Sequence, residues 1–198
     1  MSDTFITVVS GLPRSGTSLM MQMLAAGGMP VLDDQMREPD DRNPRGYFEC
    51  EAVKRLSTDS RWMSDAFGKA VKIVAPLVLS LPTAHCYRIV LMRRPIEEIV
   101  ASQRTLLARQ AKAGANLPDE RIAELLAKQL AHTEHWLQEQ PNITMITVDY
   151  HEIVMQPQTA AADVNDLLDG RLDESAMASV VDAGLYREKS DTSSFPKK

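Results

Sequence analysis

The stretch from Val8 to Leu24, "VVSGLPRSGTSLMMQML", constrains the fold of this chain more than any other segment. An apolar run from Phe5 to Val9 meets Gly11 and Pro13, which fits a buried strand entering a turn. Beyond the turn, Thr17 and Ser18 open a run of good helix formers that closes on Gly27 and Gly28, a C-cap pair. Strand, glycine turn and helix in immediate succession predict a βα unit, and the chain after it repeats the alternation.

Met29 to Leu32 predicts a second, short strand, followed by a long polar loop over 33–47 with two prolines and mixed charge. Loops of that length in compact domains are functional or mobile. A helical period resumes in "FECEAVKRLSTD", and "KAVKIVAP" (69–76) and "YRIVLMRRP" (87–95) read as buried strands stopped by proline. Helices are expected over 96–113 and 119–139, each with one apolar face, then a strand in "NITMITVDY" and helices over about 158–168 and 173–182. Strands alternating with helices predict an α/β fold: three α/β/α layers around a central, mostly parallel sheet. One domain over 1–190 is expected, with 191–198 as a disordered tail.

Composition narrows the function. A formal net charge of −5 argues against general nucleic-acid binding, so an anionic ligand has to be caught by a local site. Cys50 and Cys86 are too few for a disulfide framework and lack metal-ligand spacing. The start "MSDTFITVVS" has no basic signal-like region, and no apolar run approaches the ~20 residues of a membrane span. The expected setting is cytoplasmic.

In an open parallel sheet, ligands bind beyond the carboxyl ends of the strands. That rule selects residues 10–18, the turn at 92–95 and the region after Lys72. In the first, Gly11 and Gly16 let backbone N–H groups converge on an anion, and the helix starting near Thr17 points its positive end there. Gly11, Gly16 and Ser18 almost spell G-x-x-x-x-G-K-[ST], the phosphate loop of nucleoside triphosphate enzymes, but Thr17 holds the lysine position. The nearest cation, Arg14, lies inside the loop, between Pro13 and Ser15. At the second place the strand ends in Arg93 and Arg94, where an acidic residue would help hold Mg²⁺ in an ATP site. Ser102 follows about two helical turns along the next helix, so Arg94 and Ser102 can reach one phosphate. Alternatively, Arg93 and Arg94 cap the strand and pair with Glu97 or Glu98.

Together these segments resemble the sulfotransferases that use 3′-phosphoadenosine-5′-phosphosulfate (PAPS). "GLPRSGTS" is similar to that family's 5′-phosphosulfate loop, and "RRPIEEIVASQ" to its 3′-phosphate motif, with the extra Arg93 of a bacterial branch. "NPRGYFE", "AVKIVAPLVLSLP" and "VVDAGLYR" also look like segments of that branch, so the resemblance covers most of the chain. It implies a P-loop NTPase-like sulfotransferase fold and sulfuryl transfer from PAPS to a hydroxyl or amine without an obligatory metal. It further implies that adenosine 3′,5′-bisphosphate (PAP) is the nucleotide product.

On that resemblance, Gly11, Pro13, Arg14, Ser15, Gly16, Thr17 and Ser18 hold the phosphosulfate, and Arg93, Arg94 and Ser102 hold the 3′-phosphate. Arg187 in "LYREKS" approaches that phosphate or closes a lid. Arg14 and Lys72 are the candidate catalytic cations, with a snorkelling surface lysine as the plain alternative for Lys72. Glu49 is the preferred general base; Asp40 and Asp41 are weaker alternatives. Glu49 can equally be a first-turn carboxylate that favours a helix dipole. His132 and His135 are expected on a solvent-exposed helix face, and Met20, Met21 and Met23 in the core. Two other functions fit the sequence: a sulfotransferase-like module that binds an adenine bisphosphate without catalysis, and an atypical P-loop kinase or NTPase. The acceptor is not readable from the sequence.

Overall fold

A computed structural model of the chain describes residues 5–34, 46–109, 117–182 and 184. Four strands, β1 (Phe5–Gly11), β2 (Ala70–Lys72), β3 (Cys86–Arg93) and β4 (Ile143–Asp149), form one parallel sheet in the order β2-β1-β3-β4. Among the described residues six α-helices accompany them: α1 (Thr17–Ala26), α2 (Ile96–Arg109), α3 (Asp119–Glu139), α4 (Tyr150–Met155), α5 (Pro157–Leu167) and α6 (Glu174–Ser179).

β1 lies in the sheet interior and all seven of its residues are buried. Successive side chains on a strand point to opposite faces, and the core divides accordingly. Phe5, Val9, Val90 and Met92 pack with Met20, Met21, Met23 and Leu24 of α1 and with α5 and α6 on one face. Ile6, Val8, Ile89 and Leu91 pack on the other face with Leu137 of α3, Val53 and Met63. A smaller cluster of Leu12, Ala75 and Ile99 seats α2 beside the end of β1. These are the three layers read from the alternation, and the methionines of α1 are core as expected.

Several elements differ from their sequence reading. The strand expected at 29–32 is a single bridge from Val31 to Ala70. Pro30 supplies only its carbonyl, to Ala70 N–H, and the chain then leaves the sheet, where the Asp34 carboxylate accepts from Glu51 N–H at 2.5 Å. The helical period after Phe48 is realised as a 3₁₀ turn over Glu51–Arg55, with a second over Arg61–Ala66. β2 stops at Lys72, before Pro76. The last strand ends one residue before Tyr150, and Tyr150 begins α4, a helix hidden in the strand reading. The final helix is shorter than 173–182: Asp173 caps it, its carboxylate accepting from Ala176 N–H at 2.9 Å.

The last turn expected for the 96–113 helix, most of the 33–47 loop with Asp40 and Asp41, Arg187 and the 191–198 tail lie outside the described residues. Among the described residues, no helix is long and apolar enough to cross a membrane.

Candidate functional site

The carboxyl ends of β1, β2, β3 and β4 and the start of α1 bring the chemistry together. β1 ends at Gly11, whose carbonyl accepts from Ala75 N–H at 3.0 Å, tying the turn to the chain that follows β2. The loop reaches α1 through three residues with positive φ: Gly11 at 140°, Arg14 at 76° and Gly16 at 103°. A Cβ on Gly11 would sit 2.6 Å from both the Met92 carbonyl oxygen and Ser15 Oγ. A Cβ on Gly16 would sit 2.4 Å from the Tyr150 ring. Glycine is required at both places by space as well as by φ.

Gly16 is the N-cap of α1 and brings no side chain to accept from the first N–H groups of the helix. Ser15 Oγ is buried beside them and has no hydrogen-bond partner among the described residues. An orphaned hydroxyl on a glycine cradle at a helix N-terminus is a donor set for an anion. Pro13 lies exposed at the tip of the loop, and Thr17 is buried at the first position of the helix.

Arg14 and the second motif meet directly. Arg14 Nε donates to Ser102 Oγ at 3.0 Å, and Arg94 Nη1 donates to the Arg14 carbonyl at 3.3 Å. Arg94 Nε also donates to Glu98 Oε2 at 2.8 Å, inside a pair whose side chains are 8% and 3% exposed. Of the two readings of the motif, the pairing of Arg94 with Glu98 is present, and Arg94 and Ser102 both also contact Arg14 of the loop. Arg93 points to the opposite face, where the Glu134 carboxylate of α3 accepts from its Nη2 while its buried Nε has no partner among the described residues. The geometry brings Arg93 to α3, away from Arg14 and Ser102.

The third strand end forms a separate cluster. Lys72 is only 8% exposed, so it is not a snorkelling surface lysine. Its ammonium donates to the Tyr47 carbonyl and, at 3.4 Å, to Ser18 Oγ, and lies 3.5 Å from Glu49 Oε1. Ser18 Oγ donates to the same carbonyl at 3.5 Å. Glu49, Lys72 and the phosphate-loop serine are thus neighbours, although Glu49 precedes the 3₁₀ turn rather than a regular helix. His132 and His135 are exposed on α3, as their helix face predicted.

Tyr150 is the site residue that the sequence reading missed. Its ring fills the space beside Gly16 and lies 4.8 Å beneath the Arg94 guanidinium. Burial raises its phenol pKa above the ordinary value, and the charges of Arg94 and Arg14 pull it back. Applying the strand-end rule to the fourth strand, in "TVDY", would have found it.

No protein-family model matches the chain, and no curated protein matches its sequence. Solved structures do match. The sulfotransferase domain from the Synechococcus PCC 7002 olefin synthase aligns with a TM-score of 0.54 at 14% identity, over 95% of this chain and 84% of that chain. Sulfotransferase STF1 from Mycobacterium tuberculosis H37Rv aligns at 0.57 and 15% identity, over 89% of this chain and 71% of that one. Retinol dehydratase in a complex with retinol and PAP aligns at 0.51 and 13% identity, over 91% and 64%. The fold implied by the resemblance is the one observed: this chain has the sulfotransferase fold.

Proposed function

We propose that the protein is a PAPS-dependent sulfotransferase acting on a hydroxyl or amine acceptor. The observation that carries this reading is the contact of Arg14 with Ser102 and Arg94. It brings together two segments distant in sequence, which supports reading them as one continuous anion site. The sulfotransferase fold supports it.

The residues present fit the donor. The Gly11 and Gly16 cradle, the orphaned Ser15 Oγ and the N-terminus of α1 suit a 5′-phosphosulfate, and Arg94 and Ser102 suit a 3′-phosphate. When bound, PAPS supplies an activated sulfuryl group on a phosphate leaving group. Arg14 and Lys72 offer positive charge on two sides of the loop, where preorganised donors stabilise charge that builds up on oxygen. Lys72 donates to Ser18 Oγ, and in this reading its ammonium steadies the leaving oxygen. The Glu49 carboxylate takes the proton from the acceptor; its distance of 3.5 Å from Lys72 keeps it close to the same centre. No step asks for a metal, since fixed guanidinium and ammonium groups occupy positions from which they can neutralise the anion.

The test is transfer of label from PAPS carrying ³⁵S to a panel of alcohols, phenols, sugars and amines. Transfer that survives a chelator supports the reading. Tight PAP binding with no transfer to any acceptor points instead to a nucleotide-binding module.

A further inference from the structure

The Lys72 cluster depends on a backbone conformation that its residue type disfavours. Phe48 has φ of 52°, in the left-handed region, where a side chain costs energy and persists only if its surroundings hold it. Its neighbours explain what the conformation achieves. The carbonyl of Tyr47 accepts from Lys72 Nζ and from Ser18 Oγ, while the carboxylate of Glu49 lies 3.5 Å from the same ammonium. In an extended chain, carbonyls lie in the plane of the pleat and side chains stand out of it, so a carbonyl and the side chain two residues on diverge. A left-handed residue between them turns both onto one cation. The Phe48 ring is partly buried against the core cluster that includes Met20 and Val9, which anchors the turn. The Glu49 carbonyl accepts from Asp34 N–H at 3.2 Å and holds the other side.

We propose that Phe48 is a positioning residue: its left-handed backbone holds the Tyr47 carbonyl and the Glu49 carboxylate on the Lys72 ammonium, and transfer requires that conformation. The second clause rests on the sulfotransferase reading; the first rests on the geometry alone.

The test compares Phe48→Gly and Phe48→Ala, which both lose the ring and differ only in a Cβ, with Phe48→Asn as a second residue that tolerates positive φ. The rate of acylation of the Lys72 amine by acetic anhydride is followed by peptide mass spectrometry on the full chain without nucleotide. Folding of each variant is checked by circular dichroism. Wild type, Phe48→Gly and Phe48→Asn are expected to label slowly, and Phe48→Ala about tenfold faster, the scale of one strained residue. Equal labelling of the Gly and Ala variants would overturn the proposal, because the ring and not the backbone would then place the cluster. In transfer assays the Gly and Asn variants keep kcat, and the Ala variant loses kcat with little change in the donor KM. An Ala variant as active as the Gly variant also overturns it. Wild type that transfers nothing would sink the sulfotransferase reading, while the labelling ratio still decides the placement of Lys72.

Discussion

Arg14 Nε lies 3.0 Å from Ser102 Oγ, a hydrogen bond across 88 positions of sequence that joins the glycine loop to the helix after β3. A bond from a charged donor is stronger than a neutral one and carries more consequence when lost. Ser102→Ala removes the acceptor of this bond and with it the side-chain link between Arg14 and α2. The affinity for PAP should fall by roughly 1.5–3 kcal/mol, with the unfolding midpoint little changed. Calorimetric titration checks this, and an unchanged Kd would detach the second motif from the nucleotide.

Arg94 and Glu98 form a buried pair, with side chains 8% and 3% exposed. Removing one member of such a pair leaves the other charge uncompensated in a dry place. Arg94→Ala should therefore destabilise the fold by about 3–5 kcal/mol as well as weaken PAP binding. Adding Glu98→Gln to Arg94→Ala should recover much of the stability and none of the affinity. Urea unfolding and calorimetry on both variants and wild type separate the two effects. A single Arg94→Ala variant as stable as wild type would contradict the buried-pair account.

Gly16 combines φ of 103° with a Cβ position 2.4 Å from the Tyr150 ring. Gly16→Ala carries both a left-handed penalty and an overpacked contact, together about 2–5 kcal/mol. Tyr150→Ala introduced beside it should relieve the overpacking and leave the φ penalty. Equilibrium unfolding reads the difference; a Gly16→Ala variant within error of wild type would show that the loop is not packed against Tyr150.

Alkaline pH should weaken the fold through two tyrosines. Burial raises the phenol pKa of Tyr87 and of Tyr150 above the ordinary 10.0. The fold thus favours the neutral phenols, and the unfolded chain releases their protons first. The stability they contribute is full below pH 10.0 and is lost as pH rises above it towards the folded-state values. Urea midpoints should stay level into mildly alkaline buffer and fall beyond that point, with two phenols ionising late by ultraviolet absorbance. Early ionisation of all four tyrosines would contradict the burial.

The sequence made legible what depends on local pattern. The apolar runs of β1 and β3, the helix over 119–139 and the glycines of the loop need no tertiary knowledge, and each stands where its pattern placed it. Pairing was harder to read. Arg93 ends β3 and faces Glu134 while Arg94, just past the strand, faces the loop, and the partner on α3 depends on how distant segments pack. The Lys72–Glu49 contact escaped for a similar reason: it depends on the φ of Phe48, which no propensity favours. Tyr150 was hidden because "ITMITVDY" continues a strand pattern one residue past the end of β4, onto the first residue of α4.

In the proposed reading the glycine loop and the Arg94–Ser102 segment form one site for a bisphosphorylated adenine nucleotide. Isothermal titration of the full chain with PAP and with ATP, each with and without Mg²⁺, is the decisive measurement. Tight PAP binding that is indifferent to Mg²⁺, weak ATP binding, and loss of PAP affinity in Ser102→Ala are expected. Metal-dependent ATP binding with no response to PAP would contradict it.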